Sequence, residues 1–198
     1  MAGRFLPTIL ELGGKSPTIV FADADLDKAA ADVSSAIFGS GGQSCVAGSR
    51  LFVEHSIYDE FMDRLVDVSK KLKVGPPLED ASNIGPMASE AQRARIEGYV
   101  DLAKKEGGRV LLGGTRPNSD DCQDGAYYLP TIIDGLDHSS AVCQEEIFGS
   151  VLVALPFTTE DDLIEQANDT VFGLACGIWS HDLTKAWRVA GAIKAGTV

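Results

Sequence analysis

Two short stretches of this sequence carry residue types suited to acyl chemistry. Residues 41–50 read GGQSCVAGSR, so Cys45 stands among small residues with no bulky neighbour to bar an electrophile. A thiolate there suits nucleophilic attack. A helical turn opening near Cys45 would stabilise both that thiolate and a developing oxyanion through its N-terminal amides. The competing reading is a small buried hydrophobe, the usual role of a free cysteine, and composition alone leaves both open. Glu11 ends an apolar run and is followed by Gly13 and Gly14, which let the chain turn and keep space beside the carboxylate. Burial would raise its proton affinity toward that of a general base at neutral pH. On spacing alone, a strand-end acid paired with Lys15 is the stronger reading.

A third stretch, residues 144–149 (QEEIFG), holds Glu146 and Phe148, which taken alone read as a solvated turn acid and a core aromatic. Cys122, Cys143 and Cys176 form no CxxC pair with each other or with Cys45, so neither a zinc site nor a redox dithiol is expected. Cys176 lies in a strand-like run and Cys143 beside the QEEIFG stretch, whereas Cys122 sits in a polar loop as the second exposed thiol. His55, His138 and His181 are isolated, which gives no metal cluster and disfavours a Cys–His hydrolase.

These residues need elements to position them. Residues 17–22 form an apolar run suited to a buried strand, and Asp23 or Asp25 can cap a helix over 27–38. Gly39, Gly41 and Gly42 break that helix, and a second strand follows at 51–54. Ile57, Phe61, Leu65, Val68 and Leu72 fall on one face of a helix. Ser89 caps a further helix over 90–105. Strands are expected at 109–112, 127–133, 150–155 and 175–179, and helices at 160–168 and 182–193, with residues 113–125 as a mobile surface loop. Strands alternating with helices define an α/β domain with a largely parallel sheet flanked by helices.

The 198 residues are 44% hydrophobic and carry 29 acidic against 17 basic side chains, net −12. That suffices for one sizeable core in a single domain and works against nucleic acid and anionic membrane partners. No apolar run approaches the roughly 20 residues that cross a bilayer, and residues 1–10 lack a secretory pattern, so a cytoplasmic protein is expected. The apolar opening at residues 5–10 and the strand-like start at 195–198 lead us to expect a part of a longer chain.

Residues 11–17 (ELGGKSP) resemble the glutamate motif of the aldehyde dehydrogenase family, residues 42–50 its cysteine motif, and residues 144–149 its motif contacting the nicotinamide ribose. Residues 168–174 and 196–198 are similar to its later blocks. The resemblance implies that Cys45 attacks an aldehyde to give a thiohemiacetal, that hydride passes to NAD or NADP, and that Glu11 activates the water that hydrolyses the thioester. It assigns Glu146 to the ribose hydroxyls and Phe148 to the border of the nicotinamide. It also implies that residues 1–198 are the catalytic domain. The family's N-terminal cofactor domain, with an asparagine of the oxyanion site, and its C-terminal oligomerisation segment would then lie outside this chain. A small aldehyde substrate and a homo-oligomer of the full-length enzyme are further expectations. Thr18, where many members have Asn, and Ser150, where proline is usual, depart from the pattern, and the serine is expected to loosen the backbone after Phe148. An acylating relative that transfers to coenzyme A and a noncatalytic α/β domain are the alternatives. Glu11 argues against the first, and intact Cys45 and Glu11 against the second.

Overall fold

The computed structural model describes Pro7 and residues 9–198. Strands β1 (Pro17–Val20), β2 (Arg50–Glu54), β3 (Arg109–Leu112), β4 (Thr131–Asp134), β5 (Val151–Phe157) and β6 (Gly177–Trp179) form one sheet in the order β3-β4-β5-β2-β1-β6. Every pairing is parallel except β3 with β4. Helices α1 (Leu26–Phe38), α2 (Tyr58–Ser69), α3 (Glu90–Lys105), α4 (Ala141–Gln144), α5 (Glu160–Asn168) and α6 (Leu183–Ala192) complete the fold, which is the expected largely parallel sheet flanked by helices.

Parallel strands covered on both faces alternate between two apolar layers rather than between core and water. Val20, Leu51, Val53, Leu152 and Ala154 point into one layer with Val33, Ile37 and Phe38 of α1 and Phe61 and Leu65 of α2. Ile19, Phe52, Val151, Val153 and Leu155 point into the other, with Ile96 and Val100 of α3, Leu163 of α5 and Val189 of α6. Each buried Val, Leu, Ile or Phe among them contributes about 1.5–3 kcal/mol of transfer free energy. Four of the five longer helices begin on side-chain caps, in which Asp25, Ser89, Thr159 and Asp182 accept from the backbone N–H three residues on.

Several expectations are corrected. The strand expected over 127–133 is confined to Thr131–Asp134, and Tyr127 and Tyr128 are buried without pairing. Helix α4 was not expected; it is a single turn capped by Ser140 Oγ, too short to show a period. Cys122 is not an exposed thiol in a loose loop: it is 5% exposed and sits in the α1/α2 layer, because a short 3₁₀ turn over Asp120–Cys122 folds it inward. Of the apolar run 5–10, residues 5, 6 and 8 lie outside the described residues, and Ile9 and Leu10 are exposed and outside any strand.

One topological fact positions the site. β5, β2 and β1 are parallel neighbours, so the segments preceding them emerge side by side at one edge of the sheet. Those segments carry residues 11–16, 43–49 and 145–150. The meeting point is the N-terminal edge of the strands, opposite to the carboxyl edge where open α/β sheets usually bind ligands.

Candidate active site

Glu11, Leu12 and Gly13 from the first segment, Gln43, Ser44 and Cys45 from the second, and Glu146 and Phe148 from the third line one open cleft of about 470 Å³. All four site residues expected from the sequence therefore face one space, although 135 positions separate Glu11 from Glu146.

The approach is close because the contacting residues are glycines. A β-carbon on Gly14 would lie 2.2 Å from the Cys45 carbonyl oxygen, and one on Gly13 would lie 2.7 Å from Glu146 Oε2. Both are inside van der Waals contact, so only a bare backbone passes here. The Gly14 N–H donates to Glu146 Oε1 at 2.9 Å, which joins the first and third segments directly. Gly42, at φ +70, brings the cysteine loop against the third segment, and a β-carbon there would meet the Gly149 carbonyl oxygen at 2.1 Å.

Cys45 is partly exposed, in a turn that follows a 3₁₀ stretch at Gly39–Gly42. No α-helix opens at Cys45, so the expected helix N-terminus is not what serves this thiol. Glu11 is exposed and lies outside any strand. The expected pair with Lys15 is absent among the described ion pairs, because Lys15 turns inward and is 1% exposed. Burial, the largest cause, lowers the Lys15 ammonium to about 7, and its Nζ has no hydrogen-bond partner among the described residues. Neither bland reading of the third segment holds. Glu146 is half-buried with one carboxylate oxygen engaged, and Phe148 is 40% exposed rather than a core aromatic.

Phe148 has φ 57, the left-handed region that a bulky residue seldom adopts. Helix α3 holds it there. Gln92 Nε2 donates to the carbonyls of Ile147 at 3.0 Å and Phe148 at 2.7 Å, and Arg95 Nη2 donates to that of Glu146 at 2.8 Å. The residues just ahead of that helix reach the cysteine loop, where the Ala88 N–H donates to Gln43 Oε1 at 2.8 Å. Sequence reasoning missed Gln92 and Arg95. Their spacing of three on one helix face was a visible signal, but it did not say what they face. The expected loosening after Phe148 is not found: Ser150 is fully buried, its carbonyl accepts from Thr131 N–H at 2.9 Å, and its Oγ has no partner among the described residues. Thr18 faces Gly48, where a β-carbon would lie 2.2 Å from Thr18 Oγ1.

The other thiols cannot substitute for Cys45. Cys143 is fully buried and pushed up by that burial to about 11, and Cys176, also buried, to about 12. No group of three or more potential metal ligands occurs among the described residues.

A largely parallel α/β sheet here gathers a cysteine, two glutamates and an exposed aromatic in one cleft. The model of the aldehyde dehydrogenase family matches residues 1–198, and the chain belongs to that family. It is 43% identical over 197 residues to a betaine aldehyde dehydrogenase of Bacillus subtilis, covering 100% of this chain and 40% of that one. It is 45% identical over 189 residues to the cytosolic aldehyde dehydrogenase 1 of Mus musculus, covering 96% and 37%. The crystal structure of a betaine aldehyde dehydrogenase from Staphylococcus aureus in complex with NAD+ superposes with a TM-score of 0.93 at 44% identity, covering 95% of this chain and 37% of that one. The chain thus spans about 40% of the length of these relatives.

Proposed function

We propose that this chain is the catalytic domain of an NAD(P)-dependent dehydrogenase that oxidises an aldehyde to a carboxylic acid, with Cys45 as nucleophile and Glu11 as general base. The observation that carries the reading is the convergence of three distant segments on one cleft, with Cys45, Glu11, Glu146 and Phe148 all on its wall.

The residues present fit the riboside end of a nicotinamide cofactor. Glu146 spends one carboxylate oxygen on Gly14 N–H and has acceptor capacity left for ribose hydroxyls. Phe148 offers an exposed apolar face, and the bare backbone at Gly13 leaves room beside Glu146 Oε2 that a side chain would fill. When bound, the nicotinamide supplies the two-electron acceptor. The chain's own residues do the rest. Cys45 Sγ, as thiolate, forms a bond to the aldehyde carbon and leaves the negative charge on the former carbonyl oxygen. Once that carbon is oxidised, Cys45 holds an acyl thioester. Glu11 takes a proton from water as the water oxygen attacks the thioester carbon, and the C–S bond breaks to return the thiolate and release the acid. A carboxylate lining the same cleft as the thiol favours water over coenzyme A as the acceptor.

Several features of the whole protein belong to this proposal. They are a cofactor domain and an oligomerisation segment outside residues 1–198, a homo-oligomeric enzyme, and a cytoplasmic location. No described helix is long and apolar enough to cross a membrane. The relatives named for betaine aldehyde make a quaternary-ammonium aldehyde and NAD the first pair to assay.

The test is Glu11→Gln in the assembled enzyme. Steady-state turnover should fall roughly 10²-fold or more, in scale for a general base, while the pre-steady-state burst of NAD(P)H survives. Loss of burst and turnover together would give Glu11 another role.

A further inference from the structure

Arg50 closes the cysteine motif and opens β2, yet it is fully buried. No carboxylate pairs with it among the described ion pairs. Its guanidinium is satisfied by backbone carbonyls and one imidazole: Nε donates to Lys15 O at 2.9 Å, Nη2 to Ala167 O at 2.9 Å and Nη1 to Gln166 O at 3.2 Å, with His138 Nε2 3.2 Å from Nη1. Gln166 and Ala167 belong to the last turn of α5, where the partial negative charge of the carbonyl end favours a cation. A buried cation spent largely on carbonyls fixes backbone positions, since the planar fork holds its donors in set directions.

What it fixes is the glutamate motif. Lys15, whose carbonyl Arg50 holds, is the next residue after Gly14, whose N–H holds Glu146 Oε1 at 2.9 Å and whose Cα faces the Cys45 carbonyl. The Arg50 backbone N–H also donates to Ser16 O at 3.2 Å, so one residue binds two successive carbonyls of that segment. We propose that Arg50 is a positioning residue for the site, holding the Gly13–Lys15 backbone in register so that the Glu146 carboxylate is aimed and Glu11 faces Cys45. This rests on the dehydrogenase reading above only for its kinetic consequence. The placement itself can be tested without activity.

The experiment compares Arg50→Lys and Arg50→Met with the native chain by residue-resolved amide hydrogen exchange. Lysine keeps the charge but has no planar fork, and methionine keeps an unbranched apolar stem without donors. Gly14 should exchange about tenfold faster or more in Arg50→Lys, the scale of one charge-assisted hydrogen bond. Phe21, bonded to Trp179 O, and Lys70, bonded to Val66 O, should keep their protection. In the dehydrogenase assay the same variant should raise the cofactor KM and leave Cys45 alkylation by iodoacetamide within about twofold, because a misplaced Glu146 weakens cofactor binding without touching the thiol. Unchanged exchange at Gly14 overturns the proposal. So does an equal loss of protection at Gly14, Phe21 and Lys70, which would mean that Arg50 only supports the fold. If the native enzyme shows no Cys45-dependent aldehyde oxidation, the dehydrogenase reading fails, while the exchange result still decides the placement.

Discussion

Cys45 is the partly open thiol of this chain, and Cys122, Cys143 and Cys176 are buried. Limiting iodoacetamide at pH 8 followed by peptide mapping should therefore label Cys45 first and abolish acyl transfer. Cys143 and Cys176, held at about 11 and 12 by burial, should label only as the chain unfolds. Preferential labelling of Cys122 with Cys45 untouched would count against the assignment. That Cys45, Glu11, Glu146 and Phe148 belong together was legible through the resemblance of three motifs to one family, since composition and spacing alone left the plainer readings open or stronger. The groups that hold them were not. Arg50, Gln92 and Arg95 all act on backbone carbonyls, and every residue has a carbonyl, so no pattern of residue types marks the acceptor. Lys15 misled for a related reason. Its spacing from Glu11 fits an ion pair, but the close packing of Gly13 and Gly14 against the other two segments turns its side chain inward.

At the scale of elements, the period of the apolar residues and the capping residues gave the helices well. Asp25 and Ser89 cap α1 and α3 as expected. What failed were elements with no period of their own, namely the single turn α4, the 3₁₀ turn that buries Cys122, and the Tyr127–Tyr128 segment that reads as strand but finds no partner. The break after α1 gives a sharp contrast to test. Gly42→Ala places a methyl group 2.1 Å from the Gly149 carbonyl oxygen at φ +70. It should cost about 1–3 kcal/mol from backbone conformation alone, with the steric clash in addition. Gly39→Ala meets nothing within 4 Å at φ −54 and should stay within about 0.5 kcal/mol. Urea unfolding of the two variants measures the difference, and equal midpoints would contradict the packing described between Gly42 and the third segment.

For the whole molecule, burial of Lys15 carries a pH signature. Its folded value of about 7 lies below the ordinary 10.5, so between these limits the unfolded chain binds the extra proton and stability rises with pH. Below about 7 the penalty is fully present, and above 10.5 it is gone. Lys15→Met should therefore raise the melting temperature most at or below pH 7, with the advantage over the native chain shrinking toward pH 10.5. A constant difference across that range, read by calorimetry, would mean that Lys15 is not desolvated. The strand order has a consequence of another kind. A cut between Asn118 and Ser119, both exposed, would leave β1, β2 and β3 on one piece and β4, β5 and β6 on the other. In the sheet these alternate as one, two, two and one strands from the two pieces, so neither can close a sheet alone. The cut also parts Cys45 and Glu11 from Glu146 and Phe148. Neither half should fold apart, and the sheet and its cleft should re-form on mixing, read by circular dichroism, which makes this fold a natural split protein.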